Sequence, residues 1–249
     1  MSNPENPIRF FDIASGPPRR TYAPNPWKTR YALNAKQLAY KTEWVELPDV
    51  KKVRQQHNVA PVRKMPDGSD FYTLPMIHDG ATDTYIGDSF DIAVYLDTQY
   101  PDHGLRLFPP ASIGVHRVFN AHVDALFTRH IKIASAGLPL NPETAELTKS
   151  DFASRFGLGS WEDLVVRGEE REKILQAFEA DMGEFATLYR YDDEGPFLEG
   201  RTVSYADMVV GGWLGMLKET LPEWGRVCEW QGGRWKRLHE ALAPWAEIK

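Results

Sequence analysis

Between Thr73 and Pro101 the chain puts a proline where a strand should run and, one short link later, a helix with a polar start. The segment reads Thr73-Leu74-Pro75-Met76-Ile77-His78, a polar turn, Thr84-Tyr85-Ile86-Gly87, then Asp88-Ser89-Phe90-Asp91-Ile92-Ala93-Val94-Tyr95-Leu96. In the last piece Phe90, Ile92, Ala93, Val94, Tyr95 and Leu96 are apolar and Asp91 and Asp97 stand outside, which predicts a helix with one buried face. Asp88 and Ser89 open it. Oxygens of these types accept hydrogen bonds from the free N–H groups of a first helical turn. The partial positive charge there favours a carboxylate by about 0.3–1 kcal/mol, and a bound α-carboxylate can use the same N–H groups. Pro75 is the odd residue, because proline donates nothing to a ladder and normally stays at an edge. A cis Leu74–Pro75 bond accounts for it and turns the Leu74 N–H and C=O sideways, ready to pair with another peptide backbone. The two halves together suggest a site for a small peptide with a free α-amino-acid end.

This order of Leu-Pro, apolar pair, link, Asp-Ser and a helix ending in Tyr-Leu resembles the glutathione site of glutathione transferases. In that family the X-Pro bond is cis, the backbone before it binds the cysteinyl unit, and the acidic-Ser pair binds the γ-glutamyl end. The resemblance therefore assigns glutathione binding to Leu74, Pro75, Asp88 and Ser89.

The rest of the chain fits two modest domains within its 249 residues. Ile8 to Ile13 is a buried strand ended by Ser15-Gly16-Pro17-Pro18. A helix is expected over Pro26 to Leu38, with Pro24 or Pro26 suiting its first turn. A strand follows over Lys41 to Leu47, then a short helix from Asp49 through Gln56. Val59 to Tyr72 is expected to be a surface insertion. The resulting order β-α-β-α-β-β-α is the thioredoxin-like arrangement of the family. Gly104 and three prolines between Pro101 and Pro110 make the clearest linker. Beyond it the pattern is helical. Val115, Val118, Phe119, His122, Leu126 and Ile133 are expected to mark one long helix, and Ile174 to Tyr189 another, with Ala136 to Gly168 poorly periodic and holding short helical pieces at most. Ser204-x-x-Asp207 is a cap leading into a buried helix. The expected fold is α/β plus all-α: an N-terminal thioredoxin-like domain (1–103), a linker (104–111) and a C-terminal all-helical glutathione-transferase domain (112–249).

Charge and composition exclude other classes. A net charge of −6 with no basic block argues against nucleic acid. No apolar run approaches the roughly 18 residues of a membrane span. Met1 to Pro7 is polar and lacks a signal-peptide core. The single cysteine, Cys228, rules out an internal disulfide and fits a reducing compartment, so a cytoplasmic location is expected. Cys228 has no activating neighbours, the spacing of His116, His122 and His130 does not stack them as metal ligands, and Gly157-Leu158-Gly159 lacks a dinucleotide loop's third glycine. No metal is expected.

Catalysis by resemblance requires the cysteinyl thiol of glutathione as thiolate. Lowering a thiol pKa from about 8.5 by two units takes roughly 2.7 kcal/mol. Serine-type members use a hydroxyl in a pattern like Ser-Pro-x-x-Trp-Arg-x-Arg; this chain reads Ala23-Pro24-Asn25-Pro26-Trp27-Lys28-Thr29-Arg30. The serine position is Ala23. The tyrosine-type position falls at Phe10-Phe11, and no cysteine starts the helix. Tyr22, the Asn25 amide, or the backbone N–H groups after Ala23 remain as substitutes, and weak activity is expected. Lys51, Arg54, His57 and Lys64 are candidates for the glycyl carboxylate, with His57 and Lys64 taken first. Tyr22, Phe127, Trp161 and Trp213 are expected around a hydrophobic ligand. Trp27 to Leu33 resembles the bacterial lignin β-etherases and, more closely, the fungal-specific class A transferases, some of them ligandins for aromatic and polyphenolic compounds. The resemblance implies glutathione as co-substrate, small aromatic ligands and a homodimer. A fully active transferase or β-etherase using Asn25 or Tyr22, and a non-catalytic interaction module, are the alternatives.

Overall fold

The structure, a computed structural model, describes residues 6–65 and 67–249. Strand β1 (Ile8–Ile13) leads to helix α1 (Pro24–Ala35), strand β2 (Tyr40–Val45) and helix α2 (Val50–Gln56). A small ribbon follows, β3 (Arg63–Lys64) paired with β4 (Asp70–Phe71). Then come β5 (Met76–Asp79), β6 (Thr84–Gly87) and α3 (Ser89–Gln99). The main sheet has the order β2-β1-β5-β6, with β1 parallel to β2 and β5 antiparallel to both β1 and β6. This is the expected thioredoxin-like domain, with the ribbon as an insertion between α2 and β5.

Alternation along β1 explains its central place. Ile8 and Phe10 point to one buried cluster with Tyr31, Ile77, Phe90 and Leu96, while Phe11 and Ile13 point to another with Val50, Leu74 and Met76. A strand buried on both faces reads as continuous hydrophobicity, and this one does. One polar residue is buried in it. The Asp12 Oδ2 accepts from Arg30 Nη2 at 2.8 Å and from the Thr21 hydroxyl at 2.6 Å, and Arg30 also donates to Tyr40 and Thr42. Asp12, Thr21 and Arg30 are all fully buried.

The remainder is helical: α4 (Ile113–Arg129), α5 (Ala145–Arg155), α6 (Gly168–Ala186), α7 (Tyr205–Thr220), α8 (Trp224–Val227) and α9 (Trp230–Ala241). Helix α7 is the hub. It runs through the core and packs on α1, where Gly212 and Gly215 let the helices approach: a Cβ at Gly212 would lie 2.6 Å from the Pro24 carbonyl oxygen, and one at Gly215 3.0 Å from the Trp27 ring.

The start of α7 carries the expected cap. Asp207 Oδ2 accepts from the Ser204 N–H at 2.8 Å, and its Oδ1 accepts from the Leu198 N–H at 2.7 Å. Asp207→Ala leaves these buried donors without an acceptor, each costing about 1–3 kcal/mol. A loss of about 3 kcal/mol is expected in urea unfolding followed by circular dichroism; a loss under about 0.5 kcal/mol would contradict this role.

Two readings of the helical half are corrected. Val115 and Val118 lie outside the core, 70% and 71% exposed. The inward face of α4 is instead Val123, Leu126 and Phe127, and Ile133 falls in a separate 3-10 turn, Ile131–Gly137. The weakly periodic stretch after Ala136 contains an eleven-residue helix, α5, whose narrow buried face is Thr148 and Ala153.

Candidate functional site

Three segments meet where α1 begins. The first is the mouth of α3. Asp88 has φ +86°, a conformation side-chain-bearing residues rarely adopt. Such strain persists where surrounding structure holds it, and it clusters at ligand sites. Here the Asp88 carboxylate accepts from the Phe90 N–H at 2.9 Å and the Asp91 N–H at 3.4 Å, capping the helix. The Asp88 N–H donates to the Pro75 carbonyl at 3.4 Å, which ties the helix mouth to the proline loop. Ser89 is buried in the first turn.

The second is the loop before β5. The Leu74–Pro75 bond is cis, and the ladder with β1 starts only at Met76, so the Leu74 backbone lies outside the sheet pairing. Its carbonyl accepts from the Thr73 hydroxyl at 3.3 Å.

The third is the start of α1. Ala23 is the N-cap, extended at φ −78° and ψ 143°, with no side-chain cap. A helix start normally offers several unpaired N–H groups. Pro24 and Pro26 have none, and the Trp27 N–H is occupied by the Ala23 carbonyl at 3.3 Å. The Asn25 N–H is what remains of the first turn's donors. The Asn25 side-chain Oδ1 is also buried without a partner among the described residues. An amide presents a donor or an acceptor at one place by a flip, so Asn25 offers both a backbone and a side-chain group. Tyr22 is different. Burial pushes its hydroxyl pKa well up, and Asp12 and Glu46 add to this, so it stays a neutral phenol that can donate but not carry charge.

Against Ala23 and Pro24 opens a cavity of about 240 Å³. Its walls come from both halves of the chain: Thr73 and Phe71 on one side, Phe152 of α5 and Trp213 and Met216 of α7 on the other. Of the four expected ligand-lining residues, Tyr22 and Trp213 line it. Phe127 lies behind, stacked on Trp213 with centroids 5.2 Å apart. Trp161 stands on a different, open hollow with Glu146 and Ser160, and meets Phe152 edge-on.

The two expected carboxylate holders stand at the end of α2 and on the ribbon. His57, at the end of α2, stacks on Tyr85 at 4.5 Å, which stacks on His78 at 4.1 Å. Lys64 sits on the ribbon, exposed, paired with Asp70 at 2.5 Å. Arg54 packs beneath the α3 mouth, against Gly87. It donates to the carbonyls of Thr73 and Ala60, both at 2.6 Å. Its place was visible in the helical spacing, since Val50 and Arg54 are one turn apart on the buried face of α2.

Beside the cavity the halves are joined by a buried lysine. Lys28 Nζ meets Asp124 Oδ1 of α4 at 2.6 Å, and the Trp213 indole N–H donates to the same oxygen at 2.7 Å. Burial pushes the Lys28 pKa down, with Asp124 opposing. Among the described residues, no cluster of three or more metal-ligating side chains forms and no helix is long and apolar enough to cross a membrane.

A thioredoxin-like domain with a cis-proline loop beside a capped helix mouth, backed by a helical domain, has the architecture of the glutathione transferases. Comparison agrees. Residues 22–99 match the model of the glutathione S-transferase N-terminal domain, and residues 115–245 that of its C-terminal domain. The chain belongs to the glutathione S-transferase family. It is similar, at 32% identity, to a glutathione S-transferase of Ceriporiopsis subvermispora crystallised with glutathione, with 98% of this chain and 99% of that one covered and a TM-score of 0.87. Glutathione transferase GSTFuA2 of Phanerochaete chrysosporium superposes at a TM-score of 0.86 with 31% identity, over 98% of this chain and 99% of its own. A glutathione S-transferase-like protein of Aspergillus flavus, ustS, is 28% identical over 98% of this chain and 92% of its own length.

Proposed function

We propose that this protein binds glutathione at the Leu74–Pro75 loop and the Asp88–Ser89 helix mouth, and holds an aromatic hydrophobe in the adjoining cavity, with weak conjugating or ether-cleaving activity. The observation that carries this is the start of α1. Ala23 has no hydroxyl and, beside an apolar cavity, two prolines remove N–H groups; on this reading Asn25 is the group left to serve the sulfur. One hydrogen bond to a charged group is worth about 1.5–3 kcal/mol, so a site reduced to Asn25 activates a thiol less than one with a hydroxyl as well. Solved relatives crystallised with glutathione support the peptide half of the reading. Polyphenol-like ligands, as in ligandins, fit the aromatic lining of Tyr22, Phe152 and Trp213. A homodimer through α4 fits the exposed apolar stripe of Ile113, Val115 and Val118. A two-domain division at 1–103 and 112–249, joined by 104–111, and a cytoplasmic location complete the proposal.

The test is steady-state conjugation of glutathione to a chlorinated nitrobenzene, run beside cleavage of a model aryl ether and displacement of a fluorescent naphthalene dye. Dye displacement by aromatic ligands with slow turnover is the expected result. A second reading, a fully competent transferase or β-etherase, is favoured by the unpartnered Asn25 amide. Rapid turnover of either substrate, abolished in Asn25→Ala, would establish it instead.

A further inference from the structure

The cavity beside Ala23 is walled mainly by apolar side chains, so each polar one on it stands out. There are five: Tyr22, Thr73, Ser135, Arg155 and Trp213. Three of them are engaged. The Thr73 hydroxyl donates to the Leu74 carbonyl at 3.3 Å, Arg155 pairs with Asp151 at 2.6 Å, and the Trp213 indole N–H donates to Asp124 at 2.7 Å. The hydroxyls of Tyr22 and Ser135 have no hydrogen-bond partner among the described residues, although the two residues are only 3% and 5% exposed. They are not sealed in the core as the hydroxyls of Tyr189 and Tyr205 are; the space that both side chains line is the cavity. A hydroxyl kept from bulk water without a partner is costly, and such groups are normally paired. Tyr22 precedes α1, whereas Ser135 lies in the 3-10 turn Ile131–Gly137 of the helical half, so only the assembled fold brings both to one space. Burial, with Asp12 and Glu46 adding and Arg155 opposing, pushes the Tyr22 pKa up and keeps it a phenol with a proton to give.

Resting on the aromatic-ligand reading above, we propose that the Tyr22 and Ser135 hydroxyls recognise a carbonyl oxygen, so that the cavity selects neutral aromatic ketones over hydrocarbons of the same size. A small number of placed polar groups in an apolar pocket is what orients a ligand and sets its specificity. A carbonyl suits this pair because its two lone pairs accept from two O–H donors, and it brings no proton that needs an acceptor of its own. A pure hydrocarbon leaves both hydroxyls as they are. The assignment gives Tyr22 to the aromatic ligand rather than to the glutathione sulfur, and it adds Ser135, which carries no motif that marks it in the sequence.

The test measures displacement of a fluorescent dye by 2-acetylnaphthalene and by 2-isopropylnaphthalene, which differ in little but the oxygen, from wild type, Tyr22→Phe, Ser135→Ala and the double variant, with thermal melts to establish folding. Wild type is expected to bind the ketone at least as tightly as the hydrocarbon, although water holds the ketone better. Each single variant is expected to shift the affinity ratio about 3- to 10-fold toward the hydrocarbon, the size of one lost neutral hydrogen bond, and the double variant further still, with hydrocarbon affinity itself changed by no more than about 2-fold. A ratio unchanged in both single variants overturns the proposal, even if both compounds weaken together, because that outcome reports packing alone. A shift confined to Tyr22→Phe overturns the pair. If neither compound displaces the dye from wild type, the aromatic-ligand reading itself fails and the proposal with it. Should Tyr22→Phe not fold, the ratio in Ser135→Ala decides.

Discussion

Asn25→Ala is expected to raise the thiol pKa of bound glutathione by about one to two units and to lower turnover with an activated aromatic chloride by about 10- to 100-fold at neutral pH. The expectation rests on elimination. Pro24 and Pro26 strip the start of α1, Trp27 is already bonded to Ala23, and Tyr22 is a buried neutral phenol. The Asn25 side chain is then the group whose loss is felt, because its backbone N–H alone remains. The reverse change is equally informative. Ala23→Ser restores a hydroxyl at the N-cap and should lower the thiol pKa and raise turnover, since serine also caps a helix better than alanine by about 1 kcal/mol. Thiolate absorbance titrated on the complex reads both. An unchanged pKa in Asn25→Ala would show that the sulfur leans on something else.

Arg30→Met should be among the most destabilising substitutions in the chain, at about 3–5 kcal/mol near neutral pH, the cost of breaking a buried pair from one side. Asp12 keeps only Thr21 after this change, and its second oxygen already lacks a partner among the described residues. Burial pushes the Asp12 pKa up even with Arg30 present. Without Arg30 it rises further. A folded-state pKa above the unfolded value near 3.9 means that protonation favours the folded form. Stability of the variant should therefore be retained best at acid pH and fall as pH rises through the folded pKa, so the deficit against wild type should be smaller at pH 5 than at pH 8. Urea midpoints across that range measure it, and Asp12→Asn with Arg30→Met should recover part of the loss. A deficit independent of pH would mean that the carboxylate charge is not what the variant leaves stranded.

The parts of the molecule that were legible beforehand are those where local chemistry and global position agree. Strand β1, the Asp88 cap of α3 and the Ser204–Asp207 start of α7 each declare themselves within a few residues, and each stands as expected. The alanine at position 23 was readable for the same reason. What failed depended on partners far along the chain. The apolar residues Val115 and Val118 satisfy a helical period but sit on the solvent side of α4, because periodicity identifies a stripe without saying which stripe is covered. The cavity joins residues from Ile13 to Met216, and nothing local to Trp161 or Phe127 distinguishes a wall from its backing. The pairing of Lys64 with Asp70 comes from a two-residue ladder that no local pattern announces. Arg54 is one of four basic candidates: its spacing from Val50 puts it on the buried face of α2, but its position beneath Gly87 is visible only in three dimensions.

Titration calorimetry of reduced glutathione into the purified protein, repeated with Ser89→Ala, tests the central claim most directly. Saturable heat at one site per chain, weakened several-fold when the Ser89 hydroxyl is removed, is the predicted result. Absence of binding heat, or binding indifferent to Ser89 and Asp88 substitutions alike, would contradict the placement of the peptide between the cis-proline loop and the mouth of α3.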